Sequence, residues 1–170
     1  AERREAQIEL ARSERKYREL VEQANSIIIR HLPDGTITFF NEFAQRFFGF
    51  EVDHVLGRNL IGTIVPAADR NGHDLKTLIQ DIGRKPESFA AVDHECMCSD
   101  GSRVWIHWSH RAIRDNMGNV TQVLSVGTDI TDRKRAESAA RRYQKRLRNL
   151  AETLSTKEEE ERWRISRHIH

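Results

Sequence analysis

The sequence predicts an α+β fold, one five-stranded antiparallel sheet with short helices on one face, flanked by an N-terminal helix and a long C-terminal coiled-coil helix. Three observations predict it. All 9 Gly and all 3 Pro fall between Pro33 and Gly127, so turns are confined to the middle and both flanks are free to run as unbroken helices. Inside that window the order is two strands, several short helices and three strands, which places helices over one face of a single sheet. At Asp129-Ile130-Thr131-Asp132-Arg133-Lys134-Arg135-Ala136-Glu137 the apolar pattern changes from strand-like to helical.

Composition narrows the classes. A chain of 170 residues holds one domain of about 100 to 120 residues plus helical arms. Charged residues make up 32% and hydrophobic ones 38%, the balance of a small core with solvated extensions. A net charge of +2 does not favour nucleic acid as a partner. Cys96 and Cys98 lie two apart in one predicted strand, where neighbours share a face without bridging, so a reducing, cytoplasmic setting is expected. No run of about 18 apolar residues is present, so no membrane segment is expected in the chain. The start at Ala1, without methionine or signal segment, marks an excised fragment and leaves an upstream membrane anchor in the parent open.

Taken in order, residues 1–24 are dense in Glu, Arg and Ala and carry Leu10, Tyr17, Val21 and Ala24 on one helical stripe. That helix packs on its own domain or forms a dimer, and the stripe alone does not choose. Ile27 to His31 predicts a strand, turned at Pro33-Asp34-Gly35 into a second over Thr36 to Asn41. Glu42 to Phe48 predicts a short helix burying at least two of Phe43, Phe47 and Phe48, and brief helical turns follow around Asp53 to Leu56. A second helix is expected over Ala67 to Gly83, with Leu75, Leu78, Ile79 and Ile82 on one side and Gly83 ending it. Strands are then expected over Phe89 to Cys98, Arg103 to Arg114 and Val120 to Thr128. Thr131 is placed to cap the final helix, and Asp132 suits its positive end.

The Asp129-Ile130-Thr131 ending closely resembles that of PAS sensory domains, and two more passages agree. Ser99-Asp100-Gly101-Ser102 followed by Trp105 looks like the family's hairpin turn and next strand, and Pro33-Asp34-Gly35-Thr36-Ile37 followed by Asn41 like its opening hairpin. The resemblance covers Tyr17 to Glu137 and implies a sensory domain whose concave sheet face holds any small-molecule ligand. Alternation sends Ile106, Trp108 and His110 one way and Trp105, His107 and Ser109 the other. The resemblance turns the first set inward, so the expected pocket comprises Ile106, Trp108, His110, Val126 and Thr128, against the simpler reading that Trp108 fills core and His110 bonds a carbonyl. Asp129, Ile130 and Thr131 are then the signal hinge.

The stimulus and cofactor are not legible. His73, in Asp69-Arg70-Asn71-Gly72-His73-Asp74-Leu75, stands where haem-binding relatives place an axial His, but such a His-Asp pair is also common without haem and no distal arginine is identified. The Asn-Cys-Arg run of photoactive flavin domains is absent. Cys96, Cys98 and His94 share a strand face, and the hairpin would set His94 across from His107; chance meeting on a strand pair is the favoured account, and no metal is expected.

Beyond the hinge, Ala136, Ala140, Tyr143, Leu147, Leu150 and Leu154 are spaced by steps of 4, 3, 4, 3 and 4, a heptad seam whose expected partner is a second copy in a parallel homodimer. Continuing the period would require Lys157 and Glu161, whereas apolar positions resume at Ile165 and Ile169, so the register is displaced there. Residues 160–170 are similar to the start of the dimerisation and phosphoacceptor helix of sensor histidine kinases. Glu161-Arg162-Trp163-Arg164-Ile165-Ser166-Arg167 maps the acceptor onto His170, with His168 standing where that family usually has an acidic residue. The expected organisation is residues 1–24 a signalling helix, 25–131 the PAS domain, 132–157 a coiled-coil linker and 158–170 the start of the kinase helix. Without an ATP-binding domain the fragment is not expected to be an enzyme. A response regulator is expected as the parent's partner. A ligand-free relay module and the input of another effector, such as a nucleotide cyclase, remain alternatives.

Overall fold

The computed structural model describes residues 1–169, and His170, the expected acceptor, lies outside them. The chain divides into a unit spanning Ala1–Ile130 and the helix that begins at Thr131. Helix α1 (Glu2–Glu22) leads into strands β1 (Ile27–His31) and β2 (Ile37–Phe40), then helices α2 (Glu42–Phe48), α3 (Val52–Val55) and α4 (Leu75–Arg84). A short 3-10 turn, Pro86–Phe89, precedes β3 (Ala91–Met97), β4 (Arg103–Arg114) and β5 (Val120–Asp129). Helix α5 (Thr131–Ile169) ends the described chain. The sheet is antiparallel with order β2-β1-β5-β4-β3, so the strand contributed last lies at the centre between β1 and β4.

Why these residues form these elements is local chemistry. Asp34 accepts the Thr36 N–H at 2.9 Å and closes the β1–β2 turn. Asn41 then makes four bonds. Its Oδ1 accepts the N–H of Ala44 and of Ile28, both at 3.0 Å, capping α2 and holding the start of β1. Its Nδ2 donates to Val21 O at 3.1 Å and Ser26 O at 3.0 Å, tying down the end of α1. The side chain is fully buried with its hydrogen-bonding capacity used, so burial costs it nothing net.

Helix α4 is shorter than the sequence predicts. It starts at Leu75 because Asp74 caps there, accepting from Lys76 N at 2.9 Å and Thr77 N at 3.1 Å. The residues before it curl into a turn in which Asp69 Oδ1 accepts from the N–H of both Asn71 and His73 at 2.9 Å. Gly83 does not end the helix either, which runs on to Arg84. Its role is close approach: a Cβ there would stand 1.9 Å from the carbonyl oxygen of Pro33.

The core lies between the inner sheet face and the helices, with Ile27, Ile29, Ile37, Phe40, Phe48, Ile79, Ile82, Ile106 and Val123 all buried. Phe48 sits edge-on to Phe47 at 5.0 Å, an aromatic geometry that adds to simple burial. Gly83→Ala forces the Pro33 turn off α4 and is expected to destabilise the domain by about 1–3 kcal/mol, as overpacking does. Equilibrium chemical denaturation measures it; an unchanged midpoint contradicts the contact.

Candidate functional site

The strands bring three histidines to one enclosed place. On β1, Ile27, Ile29 and His31 point inward; on β4, Ile106, Trp108 and His110 do so. Cross-strand partners leave a sheet on the same side, and Trp108 pairs with Gly127 while His110 pairs with Ser125. The inward residues of β5 are therefore Val123, Ser125 and Gly127. Val126 and Thr128, expected in the pocket, pair with Ser109 and His107 and lie on the outer face. That placement corrects the sequence reading, and its cause is steric: a Cβ on Gly127 would stand 2.8 Å from the Trp108 ring, so the position under the indole must be glycine.

Between this wall and the helices is a cavity with about 10 Å³ open to the centre of a water-sized sphere, room for a single water. Its polar wall is His31, His94, His110 and Ser125; its apolar wall is Leu60, Ile64, Val65 and Ile79. The Trp108 indole is stacked between two imidazoles, 6.0 Å from His94 and 6.2 Å from His110 between ring centres, with interplanar angles of 21° and 17°. Ser125 Oγ links His110 Nδ1 at 2.8 Å to His31 Nε2 at 3.3 Å, and His31 Nδ1 meets the Leu32 carbonyl at 2.8 Å. His110 Nε2 is buried without a hydrogen-bond partner.

Electrostatics keeps the wall neutral. Burial pushes the pKa of His31 and of His94 below the ordinary imidazole value, outweighing their backbone hydrogen bonds to Leu32 and Glu95. His110 is lowered to about 3, by burial first and by the neighbouring His31 and His94 second. The Cys96 thiol is pushed up by burial and is held protonated, which makes it chemically inert.

Other expected positions lie elsewhere. His73 is exposed, its Nδ1 2.7 Å from Asp69 Oδ2, and does not line the cavity. With His73 off the cavity wall, the expected axial ligand and the enclosed space do not come together, so these residues do not fit haem. His94 sits across from Ile106 rather than His107, which pairs with Asp93 at 2.6 Å; the imagined His94–His107 cluster is divided between the two faces. Asp129 pairs with Ile106 at the end of β5, the Ile130 N–H donates to Trp105 O at 2.9 Å, and Thr131 opens α5.

Sequence reasoning missed His31 and Ser125, though alternation from Ile27 and from Val123 would have turned both inward. It also missed Glu95, a buried carboxylate held by Arg70 Nε at 3.1 Å, the Arg70 N–H at 3.0 Å and Arg103 Nη1 at 3.5 Å. No local pattern in the sequence signals that clamp. On the outer face, Tyr17 and Val21 of α1 and Ile28, Phe39, Leu124 and Val126 line a groove of about 630 Å³.

A family profile described as PAS domain matches residues 24–132. The two-component sensor PprA of Pseudomonas aeruginosa is 27% identical over 129 residues, 75% of this chain but 13% of that protein, so the chain spans about an eighth of the relative's length. The PAS domain of an HTR-like protein from Haloarcula marismortui superposes with a TM-score of 0.54 at 22% identity, over 76% of this chain and 100% of that one. A sensory box histidine kinase/response regulator from Burkholderia thailandensis gives 0.57 at 22% identity, over 79% and 98%. These likenesses to solved structures show a common fold.

A neutral buried histidine must gain its proton in the unfolded chain first, so its contribution is complete above the unfolded pKa near 6.5 and is lost as pH falls below it. Between about pH 6 and 4.5 the unfolding free energy is expected to drop by roughly 1.4 kcal/mol per pH unit for His110, with His31 and His94 adding to the drop in the same direction. Denaturant titrations across that range check it, and His110→Phe should remove one histidine's share of the slope.

Proposed function

Because this chain belongs to the PAS domain family, we propose that it is the sensory input and signal-relay part of a two-component sensor histidine kinase. The similarity to a two-component sensor supports the kinase context. The observation that carries the relay is α5, an unbroken helix of 39 residues on which Tyr143, Leu147, Leu150 and Leu154 are exposed along one seam. A narrow apolar stripe on a single helix loses free energy to water until a second copy covers it. The partner is therefore a second chain, arranged in parallel, and residues 132–157 form the coiled-coil linker between the sensory domain at 25–131 and the kinase helix starting at 158. Residues 1–24 bring an upstream signal in, and a response regulator receives the phosphoryl group from the parent kinase. The setting is cytoplasmic, in keeping with two free thiols.

Coupling follows the chain. Trp108 rests on Gly127, two residues before Asp129, so a change in the cavity presses on the end of β5. The Ile130 N–H to Trp105 O bond keeps that strand end in register, and Asp129, Ile130 and Thr131 pass the displacement to α5. There the charged stretch Lys157 to Glu161 interrupts the seam and lets two pairings lie close in energy, which a switch needs. A stimulus shifts them by its differential affinity for the two states.

Sedimentation equilibrium tests the reading. The fragment is expected to be a dimer; Leu147→Glu and Leu150→Glu each place a charge in the seam and should give a monomer whose sheet domain unfolds at an unchanged midpoint. A wild-type monomer at high concentration sinks the proposal. In the parent kinase, His170→Gln should abolish autophosphorylation while leaving ATP binding intact.

A further inference from the structure

The hydrogen-bond chain through the cavity has a direction that its chemistry fixes. The Leu32 carbonyl can only accept, so His31 Nδ1 carries the proton in their 2.8 Å bond. A neutral His31 then presents a lone pair at Nε2, which takes the one proton of the Ser125 hydroxyl at 3.3 Å. With its proton committed, Ser125 Oγ accepts from His110 Nδ1–H at 2.8 Å. His110 is thereby left with an unprotonated Nε2, buried in a residue only 5% exposed, on the cavity wall and without a partner. His94 points the same way: its Nδ1 lies 3.1 Å from the Glu95 carbonyl and carries the proton there.

We infer that the cavity is a binding site for a compact neutral molecule with a single O–H or N–H donor on an otherwise apolar body, which donates that hydrogen to His110 Nε2 while Ser125 and His31 hold the acceptor tautomer. The inference rests on the sensory reading above and adds the class of ligand. An orphaned acceptor in an apolar box costs free energy that such a donor restores. An anion is rejected, because it meets a lone pair and finds no cation among the lining residues. A donor-less isostere gains only burial.

Anything larger than water enters by displacing the apolar wall, three of whose residues, Leu60, Ile64 and Val65, share one segment. Ile64 N and Val65 N both donate to Leu60 O, and Gly62 N donates to Val65 O, so the segment's backbone bonds are largely its own. Leu60 N to Gly35 O and Met97 N to Ile64 O tie it to its surroundings.

The test uses phenol, anisole and benzoate on protein labelled with 15N histidine, read by long-range proton–nitrogen NMR at pH 7. His110 is expected as the Nδ1–H tautomer, phenol to shift its Nε2 resonance and bind about tenfold tighter than anisole, and benzoate to leave it unmoved. His110→Phe should bring the phenol and anisole affinities together without abolishing anisole binding. Ser125→Ala releases the tautomer and should narrow the same ratio, which serves if the first variant does not fold. An Nε2–H tautomer, equal affinities in the wild type, benzoate binding, or no binding of any of the three overturns the inference. A dimer that fails this series loses the ligand class and keeps the relay; a monomer that passes it loses the relay and keeps the ligand class.

Discussion

The contact on which the arrangement depends is the Trp108 indole lying on the bare backbone of Gly127. It exists because β4 and β5 pair in one register, with Trp108 opposite Gly127 and His110 opposite Ser125. In a sheet, a slip by one residue would exchange the faces and put Val126 beneath the indole. The indole fills the space where a larger pocket would otherwise open, holds His94 and His110 to either side, and stands near the last turn of sheet before α5. Core packing and the candidate site are thus the same atoms. A substitution made to enlarge the cavity also removes the support of the strand end.

The polar wall is unusual in its economy. Three imidazoles and a hydroxyl sit in an apolar enclosure with no counter-ion among the lining residues, a placement that costs several kcal/mol for any charged form. Neutrality solves this, and the bonds run in sequence from the Leu32 carbonyl to His110 with a donor and an acceptor matched at each step. Only the end of the sequence is unmatched. By contrast the charge that is buried nearby, Glu95, is surrounded by two arginines and a backbone N–H. One region excludes ions and the other is built around one, and they share strand β3 with opposite side-chain directions.

Much of the fold was legible because its signals are local. Strands β1 and β4 and helix α2 fall where period and turn residues place them, and the inward set of β4 follows from alternation once a face is chosen. The face of β5 was not legible. A run such as Val120 to Thr128 has apolar or small residues at both parities, and the deciding fact is a ring on another strand. Helix α4 began late for a related reason: Ala67 and Ala68 are good helix formers, but Asp69 binds the backbone N–H groups of Asn71 and His73 in a turn that competes with the helix, and Asp74 caps the helix only afterwards. The histidine chain joins residues 94 positions apart, His31 and Ser125, and no window along the sequence contains both.

The four bonds of Asn41 have a mechanical meaning. One side chain grips the last turn of the leading helix, the first residues of the sheet and the first turn of the next helix, like a rivet through three plates. Torque applied to the leading helix cannot be spent on that helix alone. It arrives at the start of β1 and at α2 in a single event.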